Sequence, residues 1–448
     1  MKKRIFALLL AGIVAVSMVA CGKKSAGDKS ADKSTQETKA SNNTLTIYVW
    51  DEDYNVPALK AAEKDFQQVN PDFKLDINIR NKSYEIERDI ADAYKRKDFK
   101  NLPDLVLFQD HSIGKYIRRY SGSFMSVDDS VMDWEGIGKE KVSYSTINGV
   151  HYGFPVDSGT AAFAYRVDLL KECGYTIKDV TDITWDEFDE IGKKVYAKTG
   201  KYLICAVAPD NDLVYMMMQE EGLSLFNKGK PTIAENDRLK KVIETIVKLK
   251  KDNVLYMADS WDDYRENAIG QDKLAGVFDG NWILSSIQQV EANKGKWQIT
   301  YAPTFSGNPG YASNGGSSIC VTSNCRNSKL AKEFLSYTFG GNSADDGHSI
   351  TYDEALEKGG VIGTCLAAAQ SDVYSKGLPY FQNQPVYATI VEYAQHVPIV
   401  EQSDYHYECR TYMSQAILKV IDGEMTVDEA LDTVQTQLEE EMKPNYQK

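Results

Sequence analysis

Histidine is scarce in this chain, five residues among 448, and those five form no metal-type cluster. There is no GxSxG turn for a nucleophilic serine, no HExxH helix and no phosphate-cradling P-loop. These absences remove the commonest hydrolase, metalloprotease and nucleotide-dependent chemistries. They leave open an exported glycosidase, which needs only two carboxylates at a separation fixed in three dimensions. Cationic charge is short as well. The 51 Lys and Arg stand against 65 Asp and Glu, for a net charge of −14, or −17 once Lys2, Lys3 and Arg4 leave with a leader. So acidic a surface argues against a nucleic-acid partner and against electrostatic docking on anionic lipid. The seven cysteines show no CxxC and no zinc-like spacing. Cys205 and Cys320, in the apolar runs LICAVA and SSICVTS, read as buried free thiols. The pairing of Cys173, Cys325, Cys365 and Cys409 stays open. No metal or cofactor is expected.

Two further shortages define the start of the chain. Residues 1–20 carry a basic start and an apolar run of about 15 residues, less than the ~20 that span a bilayer. With Ala20 before Cys21-Gly22 this is a secretory signal. The sequence MVAC resembles the bacterial lipobox, with Met18 in place of the usual Leu, which makes Cys21 the lipidated mature terminus and a lipid anchor in the membrane. Residues 22–43 contain no large apolar side chain and are expected to form a disordered tether.

What remains is long enough for two or three domains. Aromatics reach 11 %, with 27 tyrosines, each offering a flat face and a hydroxyl to a polar ligand. The stretch LAGVFDGNW, 274–282, predicts a buried strand, a break at Gly280, then a helix start carrying Trp282. Strand ends of that kind are where open α/β sheets collect ligands. An indole there covers either another lobe of the protein or the carbon face of a sugar ring.

From the start of the body, LTIYVW (45–50) and KLDINI (74–79) read as strands. A helix opening at Pro57 lies between them, with Leu59, Ala62, Phe66 and Val69 on its buried face. A second helix through ERDIADAYKRK precedes the strand PDLVLF, 103–108. This β-α-β-α-β order predicts a parallel sheet covered on both faces. Polar groups follow two strand ends, Trp50-Asp51 and Gln109-Asp110-His111; Asp51 and Asp110 could equally cap helices. Asn148-Gly149 signals a hairpin, and 147–166 reads as a passage between lobes that sets Asp157 and Ser158 at a hinge facing a cleft. Thr184 with Glu187, and Thr426 with Glu429, are capping boxes. LICAVA ends in the rim Pro209-Asp210-Asn211-Asp212. GNPGYASNGGSS is a loop between two strands, and 410–442 is helical.

In order and spacing, LTIYVWDED, PDLVLF with Asp110, NGVHYGFPVDSGTAAFAYRVDLLKECG, TWDEFDEIGKKV, KLAGVFDGNW, YAPTF, NGGSSICVTSNCRNSKLAKEFLSY and TVDEAL resemble the extracellular solute-binding proteins of ABC importers, the sugar binders that include maltose-binding protein. The resemblance covers nearly all of residues 45–442. It implies a two-lobed α/β fold of the type II periplasmic-binding-protein kind, each lobe a mixed, mainly parallel sheet flanked by helices, with a hinged cleft between. The first lobe would take 44–157 and 303–350, and the second 158–302 and 351–448, behind the leader 1–20 and the lipidated tether 21–43. Implied binding residues are Trp50, Asp51 and Glu52; Phe108, Asp110 and His111; Asp157, Gly159, Asp210 and Asp279; Trp282 as a ring-stacking residue; and Tyr407 or Tyr412, with Tyr405 also in range. The implied activity is capture of a sugar, an oligosaccharide above all, by a monomer that delivers it to a permease, with no reaction catalysed. A polyamine or other small solute in an acidic cleft, or signalling to a membrane receptor, remain as alternatives.

Overall fold

The computed structural model describes residues 43–340 and 350–446. The expected leader, Cys21 and the tether up to residue 42 lie outside the described residues. Among these residues no helix is long and apolar enough to cross a membrane.

The first lobe is built from β1 (Thr44–Val49), α1 (Asn55–Phe66), β2 (Lys74–Ile79), α2 (Ser83–Arg96), β3 (Leu105–Gln109), α3 (Asp110–Arg119), α4 (Lys139–Tyr144) and β4 (Gly153–Asp157). The second runs through β5 (Ala161–Arg166), α5 (Trp185–Thr199), β6 (Ile204–Val207), α6 (Leu213–Gln219), α7 (Asp237–Lys251), β7 (Leu255–Ala258), β8 (Gly276–Gly280) and β9 (Trp297–Thr300). The chain returns to the first lobe with β10 (Ser317–Val321), α8 (Ser328–Thr338) and α9 (Ile350–Gly359). It then adds α10 (Val386–Ala394), α11 (His406–Ile421) and α12 (Val427–Tyr446).

The first sheet has the order β2-β1-β3-β10-β4. Strands β1, β2 and β3 are parallel as the sequence order predicts, whereas β10 inserts antiparallel between β3 and β4. One face buries Leu45, Ile47, Val49, Leu105 and Leu107 under α1 and α8. The other buries Val106 and Phe108 under α2 and α3 with Ile113, Ile117 and Phe124. In the second lobe β8 and β9 flank β5 antiparallel. The parallel pair β6–β7 joins the edge of β8 through a bridge between Tyr202 and Leu274. Its core is Phe163, Tyr165, Phe188, Phe278 and the helices around them, α11 and α12 included.

Local signals explain most of the ends. Asn148 and Gly149 both take positive φ, 52° and 79°, as a tight hairpin requires. Both capping boxes form: Thr184 Oγ1 accepts from the Glu187 amide at 3.2 Å, and Glu429 Oε2 accepts from the Thr426 amide at 2.8 Å. Cys205 and Cys320 are buried free thiols. Val69, expected on the buried face of α1, is instead 59 % exposed, because α1 stops at Phe66 and the chain turns away. The stretch 410–442 forms two helices, with Gly423 at φ 76° after the first. Helix α9 packs on α1, where Thr351 Oγ1 donates to Asp65 at 2.8 Å, so the chain stays with the first lobe beyond residue 350.

Candidate functional site

The segment 313–318 enters β10 between the lobes and touches both. Toward the second lobe, the Ser313 amide donates to Gln219 Oε1 at 2.9 Å. Asn314 Nδ2 donates to Asp212 at 2.9 Å and to Asp279 at 2.8 Å. Toward the first lobe, the Gly315 amide approaches His111 Nε2 at 3.3 Å, and the Gly316 carbonyl accepts from the Asp110 amide at 3.0 Å. Ser317 Oγ donates to Asp157, and Ser318 Oγ donates to Asp110 at 2.9 Å. This crossing is backbone against backbone. A Cβ on Gly159 would stand 2.5 Å from Gly315 C and O, so only glycine admits the approach.

The first-lobe wall is a buried ion cluster. Asp110, at the start of α3, pairs with the Lys141 ammonium from α4, which also donates to the Ser317 carbonyl at 2.7 Å. Burial pushes the Asp110 carboxyl up to about 7 even against that ammonium. Burial likewise raises Asp157 against the same lysine. His111 is half-buried beside them; desolvation, then the positive charges of Arg410 and Lys141, lower its imidazole to about 3, so it is neutral.

The second-lobe wall pairs Arg410 of α11 with Asp212 at the start of α6. Burial, then the adjacent Asp212 carboxylate, push Asp279 up to about 7. Two indoles stand beside them. Trp282 Nε1 donates to the Asn314 carbonyl at 2.9 Å, and Trp261 Nε1 donates to Asp210 Oδ2 at 2.6 Å. Their rings meet edge to face at 5.3 Å, with the Arg265 guanidinium 5.5 Å from the Trp282 ring centre. Both side-chain atoms of Asn211, Oδ1 of Asn281 and Nε of Arg410 are buried with no hydrogen-bond partner among the described residues. A cavity of about 270 Å³ opens between α3 and the segment 399–402, over Asp110, His111 and Tyr144. A smaller one shares His111 and continues to Tyr215, Ser313 and His406.

The residues expected from sequence fall into three groups. Asp110, His111, Asp157, Gly159, Asp210, Asp279 and Trp282 are joined by the contacts above. Tyr407 reaches the same region, its hydroxyl donating to Gln109 Oε1 at 2.6 Å. The others lie elsewhere or at the edge. Asp51 is exposed at φ 58° and accepts from the Tyr54 amide at 3.0 Å, a turn-capping role, and Glu52 is exposed beside it. Trp50 packs against the first lobe's cores. Phe108 is core, stacked on Tyr116 with ring centres 5.4 Å apart. Tyr412 bonds Glu441 on α12. Sequence reasoning missed Tyr54, whose buried hydroxyl faces Asp157, and Lys141, Asp212, Asn314, His406 and Arg410. A signal existed for Asp212 and Asn314, which sit in the polar rim and the Gly/Ser/Asn loop already picked out.

Two α/β lobes joined by crossing segments, with buried polar groups and indoles between them, define a hinged two-lobed binding protein. Residues 60–352 match the family of bacterial extracellular solute-binding proteins, and the chain belongs to that family. It is similar to the lactose-binding protein of Rhizobium radiobacter, 30 % identical over 403 residues, covering 89 % of this chain and 93 % of that one. Among solved structures, it resembles the galacto-N-biose/lacto-N-biose I-binding protein of the ABC transporter from Bifidobacterium longum, with TM-score 0.71, 16 % identity and coverage of 90 % of this chain and 97 % of that one. It also resembles the ABC transporter associated binding protein from B. animalis subsp. lactis Bl-04 in complex with β-1,6-galactobiose, with TM-score 0.68, 19 % identity and coverage of 90 % and 98 %. At those identities the likeness is one of fold.

Proposed function

We propose that this protein captures a carbohydrate, a short oligosaccharide, between its lobes and delivers it to the permease of an ABC importer. It acts as a monomer held at the outer face of the cell membrane by a lipid on Cys21. The observation that carries the carbohydrate is the set of buried, unpartnered polar atoms on Asn211, Asn281 and Arg410 in the same wall as two oriented indoles. Buried polar atoms without partners are costly. A ligand that is neutral, rich in hydroxyls and flat on one face would satisfy them and cover the rings. The similarity to a lactose-binding protein along nearly the whole of both chains makes galactosides the first candidates.

A polyamine is less well supported, because the acids it would need are occupied. Asp110 is held by Lys141, Asp212 by Arg410, and Asp279 accepts from Asn314 Nδ2 at 2.8 Å. The test is thermal-shift screening of the purified protein against lactose, other galactosides, arabino-oligosaccharides and maltodextrins, with spermidine and putrescine included. A ligand that binds the native state raises the melting temperature by mass action. A shift with one sugar series is expected; a shift with polyamines alone would overturn the carbohydrate reading.

A further inference from the structure

Across the mouth of the cleft, three cations face two carboxylates. Lys115, Arg118 and Arg119 are spaced i, i+3 and i+4 on α3, which places them on one helix face. Asp404 precedes α11 and Glu408 lies in its first turn. Lys115 Nζ is 3.0 Å from Glu408 Oε1. Arg118 approaches Asp404 Oδ1 at 2.6 Å, and Arg119 Nε approaches Oδ2 of the same carboxylate at 3.2 Å. The Arg119 guanidinium also lies 4.7 Å from the centre of the Tyr405 ring.

The two sides belong to separately packed bodies. Helix α3 is seated by Ile113 and Ile117 in the first-lobe cluster with Val106 and Phe108. Tyr405, Cys409 and Met413 are seated in the second-lobe core. These pairs therefore hold lobe to lobe and hold neither lobe together, so opening the cleft breaks them all at once.

We infer that this charged clasp holds the cleft shut, and that ionic strength thereby sets the balance of open and closed forms before any ligand arrives. Partly exposed ion pairs are individually weak and are screened by salt over about 8–10 Å. Several acting on one two-state motion bias it together. Because ligand contacts from both lobes exist only in the closed form, observed affinity scales with the closed fraction. Asp404 and Glu408 then tune affinity as positioning residues. This affinity consequence rests on the carbohydrate reading; the effect on shape does not.

The test is small-angle scattering of the purified, ligand-free protein at about 50 mM and about 500 mM salt, with sugar titration alongside. The wild-type radius of gyration is expected to grow with salt. Asp404→Asn, which leaves the Lys115–Glu408 pair in place, should show the larger radius at low salt, respond less to salt and bind sugar roughly three- to tenfold more weakly. Glu408→Lys should open the protein likewise, and adding Lys115→Glu should close it again, which a variant damaged in folding would not do. A radius indifferent to salt and to all these substitutions in folded protein would overturn the clasp, as would failure of the exchanged pair to recover. If the radius responds as described while no sugar binds any form, the clasp stands and the carbohydrate reading falls.

Discussion

The imidazoles of His111 and His406 lie face to face, 4.6 Å between centres and 4° from parallel, one contributed by each lobe. Burial, with Arg410 and Lys141 nearby, lowers His111 to about 3. Burial, then His111 and Arg410, lower His406 well below its ordinary value. The stack therefore requires two neutral rings.

A pH dependence follows from that requirement. Opening the cleft is expected to return the rings to solvent and to a pKa near the ordinary ~6.5. A group depressed on closing stabilises the closed form fully above that value and progressively less as pH falls toward the closed-form value. Ligand affinity is expected to weaken from about pH 6.5 downward, by at most about tenfold per pH unit for each ring. Asp110, raised to about 7, pulls the opposite way, so the decisive comparison is with His111→Asn. Calorimetric titration between neutral and mildly acidic pH should give a shallower acid limb for that variant; identical limbs would count against the histidine assignment.

Lys141 is buried between Asp110 and the Ser317 carbonyl, and its charge also acts on Asp157. Replacing it with methionine keeps the bulk and strands two carboxylates in the dark. Breaking a buried pair from one side costs about 3–5 kcal/mol, so Lys141→Met should lower the urea midpoint sharply at pH 8. The deficit should shrink as pH falls toward about 7 and level off below it, because without the ammonium Asp110 takes up its proton at a higher pH than it does in the wild type. A pH-independent deficit would mean that lost packing is the cause.

Trp282→Ala is expected to weaken sugar binding by about 1–3 kcal/mol through lost burial and stacking. The indole also bonds the Asn314 carbonyl, so circular dichroism must first show a native fold. Unchanged affinity in a folded variant would remove Trp282 from the ligand surface.

The parts legible in the sequence are those written locally. The strand, glycine and tryptophan of 274–282, the hairpin at Asn148-Gly149 and both capping boxes each reside within a few residues, and the structure forms them there, except that the strand runs Gly276–Gly280 with Gly280 as its last paired residue and not as a break after Asp279. The illegible parts depend on distance along the chain. Lys141 meets Asp110 across 31 positions and Ser317 across 176, and nothing in KEKVSY distinguishes it from the neighbouring Lys139. Asn314 reaches Asp212 across 102. Phe108 misleads for a different reason. Leu105 to Phe108 are buried on both faces of their sheet, so alternation does not tell which side chain points to the cleft. Three tyrosines within 405–412 also look equivalent until α11 packs. Then Tyr405 meets Arg119, Tyr407 meets Gln109 and Tyr412 turns to α12.

The two indole N–H groups are already committed, Trp282 to Asn314 and Trp261 to Asp210. Each ring is thus immobilised in its rotamer before a guest arrives, and the disorder an aromatic ordinarily surrenders on binding is lost during folding instead. The calorimetric signature of capture should carry little side-chain entropy loss from these rings. Trp282→Phe, which keeps a flat face and frees it to rotate, should shift the balance toward a larger entropic penalty even where the enthalpy of contact survives.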